Sequence, residues 1–141
     1  ILATDISPSA LEIARQNAAR LALDVEYKLA NLLEGLGQFD VIAVNPPYIA
    51  HIDLDLNISV RDFEPGLSLF SGVEGLDHIT RIIKAAPMHL TDNGLLCIEH
   101  GHKQGEAVRR IGLDHCWLDI QTIQDISGKD RVTRMRVKHD R

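Results

Sequence analysis

With 141 residues, 45% of them hydrophobic and 25% charged, the chain has the size and composition of one ordinary globular domain. No apolar run approaches the ~18 residues that a bilayer span needs, and the opening Ile1-Leu2-Ala3-Thr4-Asp5 has no basic region of a secretory signal, so a cytoplasmic location is expected. The net charge of −5 and a pI near 5.7 disfavour nucleic acid as the main partner, because phosphate binding needs a basic surface, and leave a protein substrate open.

Residues 1–5 read as a strand ending in an acid. A domain rarely begins inside a core strand, so the chain is expected to be part of a longer protein. Ser7-Pro8 is a helix cap followed by a proline suited to the first turn. Leu11, Ala14, Ala18 and Leu21 then share one helical face. Val25-Glu26-Tyr27-Lys28-Leu29 alternates as a strand does, and residues 31–38 form a connection containing Gly35 and Gly37. The near-continuous apolar run Phe39-Asp40-Val41-Ile42-Ala43-Val44 predicts a strand buried on both faces.

Residues 45–73 form a long irregular segment with Pro46, Pro47, Pro65, Gly66 and Gly72, and loops of that length inside compact domains are usually functional. Leu76, Ile79, Ile83, Ala86 and Leu90 mark an amphipathic helix that Pro87 must kink or end early. Asn93-Gly94 reads as a turn and residues 95–99 as a buried strand. A short helix is expected over 103–111, with Ala107, Val108 and Ile111 inward. Two strands follow, 117–126 and 132–137, joined by Ser127-Gly128-Lys129-Asp130. Alternating strands and helices imply a mostly parallel α/β sheet with helices on both faces and an antiparallel finish. Sites in such sheets lie at the carboxyl ends of the strands, where Asp5, Asn31, Asn45 and Glu99 are expected.

Asn45-Pro46-Pro47-Tyr48, directly after a buried strand, is suited to hold a planar NH2 group. The Asn45 side-chain carbonyl accepts one N–H, the stiffened backbone carbonyl of Pro46 accepts the other, and the Tyr48 ring covers the planar face. An amide nitrogen is a poor nucleophile because its lone pair is delocalised. Holding both hydrogens favours a pyramidal nitrogen and aims the lone pair at an electrophile, for which the methyl group of S-adenosylmethionine is the match. The turn resembles that of amino-methyltransferases acting on adenine, guanine or glutamine. Asp5 suits the ribose hydroxyls of a nucleotide or, alternatively, a helix-start carboxylate favoured by the macrodipole. Asn31-Leu32 could meet an adenine ring or be an ordinary turn.

Other candidates carry less. His100-Gly101-His102 has no third ligand cluster, so no metal is expected and both imidazoles are read as exposed loop groups. Cys97 and Cys116 sit in or beside apolar runs with no base partner, and are read as buried thiols rather than nucleophiles. The basic residues Lys129, Arg131, Arg134, Arg136, Lys138, His139 and Arg141 read as a solvated strand face, with partner binding, including RNA, as the alternative.

Essentially the whole chain resembles the bacterial release-factor glutamine methyltransferases (the HemK/PrmC family). The likeness runs from Asp5-Ile6-Ser7-Pro8-Ser9-Ala10-Leu11 and Asn17-Ala18 through Phe39-Asp40 to Asn45-Pro46-Pro47-Tyr48-Ile49. It continues in Val60-Arg61-Asp62-Phe63-Glu64-Pro65, in Gly72 to Leu76, in the stretch Glu99 to Val108 and in Asp125 to Val132. The resemblance implies a Rossmann-like class I S-adenosylmethionine-dependent methyltransferase fold, truncated at its N-terminus. It implies methylation of N5 of the glutamine in the Gly-Gly-Gln motif of class 1 peptide chain release factors. Asn45 and Pro46 would hold the amide, Tyr48 would pack over it, Pro47 would shape the turn and Glu64 would lie near the substrate. Asp5 would bind ribose, with Asn31, Leu32 and Asn45 beside the cofactor. Asn31 stands where the family usually has Asp, and Leu32 stacks less well than an aromatic residue. The family's first strand with its glycine-rich motif, and its small N-terminal helical domain, are not in residues 1–141. This piece alone is therefore expected to be inactive. Two alternatives stay open: a ribosomal-protein glutamine as substrate, or an amino group of adenine or guanine. The second would need a basic groove and stacking aromatics.

Overall fold

A computed structural model describes residues 1–47 and 75–137. They form two compact units, Ile1–Gly37 and the residues from Gln38 onward.

The first unit is a strand–helix–strand element. Strand β1 (Leu2–Asp5) pairs in parallel with β2 (Glu26–Leu29), from Leu2 beside Glu26 to Asp5 beside Leu29. Helix α1 (Pro8–Arg20) connects them. Its start follows the predicted chemistry: the Ser7 hydroxyl accepts the Ala10 N–H at 3.3 Å, and Pro8 opens the first turn, where no N–H is needed. Leu11 and Ala18 are buried and Ala14 is half-buried, but Leu21 caps the helix and is exposed. The Tyr27 hydroxyl ties β2 to α1 by donating to the Ala14 carbonyl at 3.2 Å, while the Arg15 guanidinium sits 5.3 Å from its ring centre.

The second unit is a four-stranded sheet in the order β3-β4-β6-β5. It contains β3 (Phe39–Val44), α2 (Asp77–Ala85), β4 (Leu90–Glu99), α3 (Gly105–Asp114), β5 (Leu118–Gln124) and β6 (Asp130–Arg136). β3 and β4 are parallel, whereas β6 runs antiparallel to both β4 and β5. Strands and helices alternate as expected. The described strands group into two sheets: β1–β2 and β3–β4 pair in parallel, and the expected antiparallel finish comes from β6, which pairs with β4 and β5.

One face of the larger sheet supplies the core. Leu96 and Ile98 of β4 and Met135 of β6 pack with Ile79, Ile82 and Ile83 of α2 and Val108 of α3, all essentially fully buried. Burial of such a side chain is worth roughly 1.5–3 kcal/mol. Trp117 closes this core and donates its indole N–H to the Ile83 carbonyl at 3.2 Å. Pro87 ends α2 early, and the chain passes through a 3-10 turn over Ala86–His89.

Two readings of β3 and β4 are corrected. Only Ile42 of β3 is buried, and Val41 is 57% exposed. Among the described residues β3 is hydrogen-bonded to β4 alone and forms an edge of the larger sheet. Asn93-Gly94 is no turn between elements but a kink inside β4, where the register on β3 jumps from Phe39–Leu90 to Val41–Leu95. Asn93 adopts a left-handed φ of 62°, and a Cβ on Gly94 would stand 2.8 Å from both Leu90 Cβ and the Thr91 carbonyl oxygen.

Candidate functional site

In the first unit, parallel pairing brings two of the sequence candidates to one edge. Asp5 ends β1 beside Leu29, and the next residue, Ala30, donates its N–H to the Asp5 carbonyl at 3.0 Å. Asn31 follows directly, so Asp5 and Asn31 share the carboxyl edge of this strand pair. The Asp5 carboxylate is exposed and Oδ1 accepts the Ser7 N–H at 2.7 Å. One oxygen thus orders the start of α1, and the other stays in reach of a further donor. The Asn31 amide donates to Glu34 Oε1 at 3.3 Å. Leu32 is half-buried with a left-handed φ of 55°, which turns the chain sharply away from the strand direction.

In the second unit, Asn45, Pro46 and Pro47 follow β3 at its carboxyl end, the same edge at which β4 ends in Glu99. Asn45 is exposed, Pro46 buried and Pro47 half-buried. The polar group is therefore presented outward by a turn whose first proline is packed in. That is the arrangement a rigid acceptor pair needs. Tyr48 and Glu64 lie outside the described residues, as do Lys138, His139 and Arg141.

The turn after β4 overturns one reading. His100 is not an exposed loop imidazole but is 0% exposed. Its Nε2 lies 2.8 Å from Thr133 Oγ1 and its Nδ1 3.0 Å from the Gly101 carbonyl oxygen. Thr133 Oγ1 is 3.0 Å from Thr122 Oγ1, which accepts from Arg109 Nη1 at 2.7 Å. Burial is the main force on the ring and holds its pKa below the usual histidine value. Gln104 locks the same turn: its Oε1 accepts the Gly101 N–H at 2.8 Å and its amide donates to the Gly75 carbonyl at 3.4 Å. The signal for His100 was present in the alternation Leu96, Ile98, His100, which runs inward one step beyond the strand.

The hairpin tip is built on Asp125. Its carboxylate accepts from Ser127 Oγ at 2.6 Å, from the N–H groups of Ser127 and Lys129, and from Arg131, and these bonds hold its pKa far below the usual carboxylate range. The basic face is thus partly tied down: Arg131 pairs with Asp125, Arg134 donates to Gln121 and Arg136 donates to the Asn93 carbonyl. Cys97 is half-buried and Cys116 is exposed, so neither is the buried thiol expected. Burial nevertheless raises the Cys97 pKa, against the opposing charge of Arg134, which keeps the thiol protonated at neutral pH and a poor nucleophile. Among the described residues no group of three or more His, Cys, Asp or Glu is placed to hold a metal ion.

The methyltransferase small domain family matches residues 1–66. A release factor glutamine methyltransferase of Xylella fastidiosa is 42% identical over 136 residues, covering 94% of this chain and 50% of its own length. One from Koribacter versatilis is 38% identical over 136 residues, with 94% and 48% covered. Along nearly its whole length the chain is thus similar to proteins named release factor glutamine methyltransferases. It spans about half the length of the curated relatives it matches.

Solved structures agree on the fold. A methyltransferase from Pyrococcus furiosus superposes with a TM-score of 0.67 at 19% identity, covering 96% of this chain and 60% of its own. A ribosomal protein L11 methylase from Lactobacillus delbrueckii subsp. bulgaricus gives 0.67 at 20%, covering 98% and 57%. A methyltransferase complexed with SAH gives 0.59 at 13%, covering 96% and 38%. The α/β architecture is that of the class I methyltransferases. No helix among the described residues is long and apolar enough to cross a membrane.

Proposed function

We propose that this chain is the C-terminal part of the catalytic domain of a cytoplasmic S-adenosylmethionine-dependent enzyme. Its substrate is the glutamine of the Gly-Gly-Gln motif in class 1 peptide chain release factors, methylated at N5. The supporting observation is the 37–42% identity, along at least 94% of the chain, to proteins named for that activity. The placement of Asn45-Pro46 at the carboxyl end of β3 fits the same chemistry.

The residues present suit the cofactor. Asp5 is an exposed carboxylate at a parallel strand end with one oxygen beyond its Ser7 bond, as a ribose diol requires. Asn31, one residue past the neighbouring strand, and Leu32 supply a polar and an apolar contact for an adenine ring. When bound, S-adenosylmethionine supplies an electrophilic methyl group on a sulfonium. The chain's own residues prepare the nucleophile. Asn45 Oδ1 accepts one amide N–H of the substrate glutamine and the Pro46 carbonyl accepts the other, which confines the nitrogen and directs its lone pair. Pro47 stiffens the turn, and the resemblance assigns Tyr48 to the amide face and Glu64 to the substrate side, both outside the described residues. No strong general base is needed, because the methylated amide nitrogen is acidic enough to lose its extra proton to water.

Labelled methyl transfer to purified release factor tests this reading, using the full gene product that contains this chain. Label must enter wild-type release factor and fail to enter one whose motif glutamine is replaced by alanine. Incorporation into nucleic acid instead, with a steep salt dependence, would refute it.

A further inference from the structure

The buried chain behind the turn after β4 has one consistent proton arrangement. A guanidinium only donates, so Thr122 Oγ1 accepts from Arg109 at 2.7 Å. A backbone carbonyl only accepts, so His100 Nδ1 carries hydrogen toward Gly101 at 3.0 Å. Between these fixed ends the Thr122 hydroxyl donates to Thr133, and the Thr133 hydroxyl donates to His100 Nε2 at 2.8 Å. Every group is then satisfied with the imidazole uncharged. Protonating Nε2 reverses both hydroxyls and leaves the Thr122 O–H without an acceptor among the described bonds, a costly state for a part-buried group. Burial acts in the same direction, holding the ring's pKa below its usual value. The charged groups facing it are Arg109 from α3 and Asp130 and Arg131 from β6, with Arg109 and Asp130 lying 3.8 Å apart.

The strand that leads into His100 is the parallel neighbour of the strand that leads into the proposed amide-holding turn. β3 and β4 are parallel with Val44 beside Ile98. Both strands run on past that pair at the same edge, β3 into Asn45 and the buried Pro46, β4 into Glu99 and the buried His100. The backbone at His100 is itself pinned: its N–H donates to the Arg131 carbonyl at 2.9 Å, and its carbonyl accepts from Arg131 Nη1 at 3.5 Å. We propose that His100 is a positioning residue for the methyl transfer, its neutral Nδ1–H imidazole bracing the turn after β4 against which Asn45 and Pro46 are set. The proposal rests on the methyltransferase reading above. His100 touches no reacting atom and acts by holding the acceptor pair in place. Acid that charges the ring strands a hydroxyl, loosens the brace and lowers turnover without removing a catalytic group.

Two readouts on the full gene product test this. With histidine labelled by 15N, long-range proton–nitrogen spectra report tautomer and titration without substrate. The expected result is an Nδ1–H ring at pH 7 that charges only below the ordinary histidine range of about 6.5. Methyl transfer to release factor is then followed from pH 5 to 8. Wild-type kcat should fall along the His100 titration. His100→Gln, whose Oε1 can take the place of Nε2 as acceptor, should keep most of the neutral-pH kcat and lose that acid limb. His100→Leu should drop kcat about tenfold, or about 1.4 kcal/mol, with cofactor KM within about twofold. An Nε2–H or charged ring at pH 7 would overturn the proposal, as would an acid limb unchanged in His100→Gln. Wild-type protein that methylates nothing would instead defeat the underlying reading, so the two failures are distinct.

Discussion

Two neighbouring parallel strands end at the same edge of the larger sheet in opposite ways. β3 runs into Asn45, an exposed amide on a turn anchored by the buried Pro46. β4 runs into His100, which is fully buried and bonded at both ring nitrogens. A group that must accept hydrogen bonds from a substrate has to stay open to it. A group that sets geometry is most effective when its own bonds are complete, because an unsatisfied buried polar atom costs about 1–3 kcal/mol. Substitutions at the open end should therefore change activity and leave stability alone, whereas those at the closed end should cost stability and, through the loosened brace, activity as well.

The largest effect is expected at Asn45. Asn45→Ala should lower kcat/KM by about 100-fold or more, the usual loss when one preorganised hydrogen-bonding group is removed from a reacting centre. Its melting temperature should stay within about 2 °C of wild type, since exposed positions rarely change stability by more than about 0.5 kcal/mol. A large fall in melting temperature would place Asn45 with the closed groups and break the contrast. Asp5, at the open end of β1, belongs to the first class. Asp5→Ala should raise the KM for S-adenosylmethionine by about tenfold or more with a smaller change in kcat, the loss of a charge-assisted hydrogen bond. Equilibrium binding of the cofactor by calorimetry would show this directly.

At the closed end, Thr133→Val removes the donor to His100 Nε2 and should destabilise by about 1–3 kcal/mol in urea titration. The pH dependence sharpens the point. His100 has a lowered folded pKa, so below about 6.5 the unfolded chain binds more protons than the native one. Its contribution to stability is complete above that pH and declines as pH falls through the window down to the folded value. Asp125, also lowered, adds a loss at still more acid pH, when its carboxylate is protonated against the Ser127, Lys129 and Arg131 donors. Stability flat between pH 7 and pH 5 would contradict the His100 arrangement. The smallest effect is expected on the exposed face: Gln121→Ala removes the bonds to Arg134 yet should cost under about 0.5 kcal/mol.

Much of this was readable in the chain itself where one local rule decides. Ser7-Pro8 specifies a helix start, Pro87 a helix end, and Leu96 and Ile98 an inward strand face. What was not readable depends on partners distant in sequence. The apolar β3 reads as buried on both faces, yet Val41 is exposed because burial depends on what lies across the sheet. Asn93-Gly94 has the composition of a turn, but pairing with β3 draws it into a strand kink. His100 reads as a loop residue beside His102; the alternation Leu96, Ile98, His100 hints at its burial, but its partner Thr133, 33 residues on, has no local signal. For the site, Asp5, Asn31 and Asn45 were placed at strand ends by the alternation of elements, whereas the bracing groups Thr122, Thr133, Arg109 and Gln104 have no sequence pattern of their own.

The central claim is that the Asn45-Pro46 turn holds a glutamine amide for methylation. Tandem mass spectrometry of release factor after reaction with the full gene product tests it most directly, with wild type and Asn45→Ala run side by side. We expect a single methyl on the side-chain nitrogen of the Gly-Gly-Gln glutamine with wild type, and its near absence with the variant. A methyl on any other residue, or equal methylation by the variant, would contradict it.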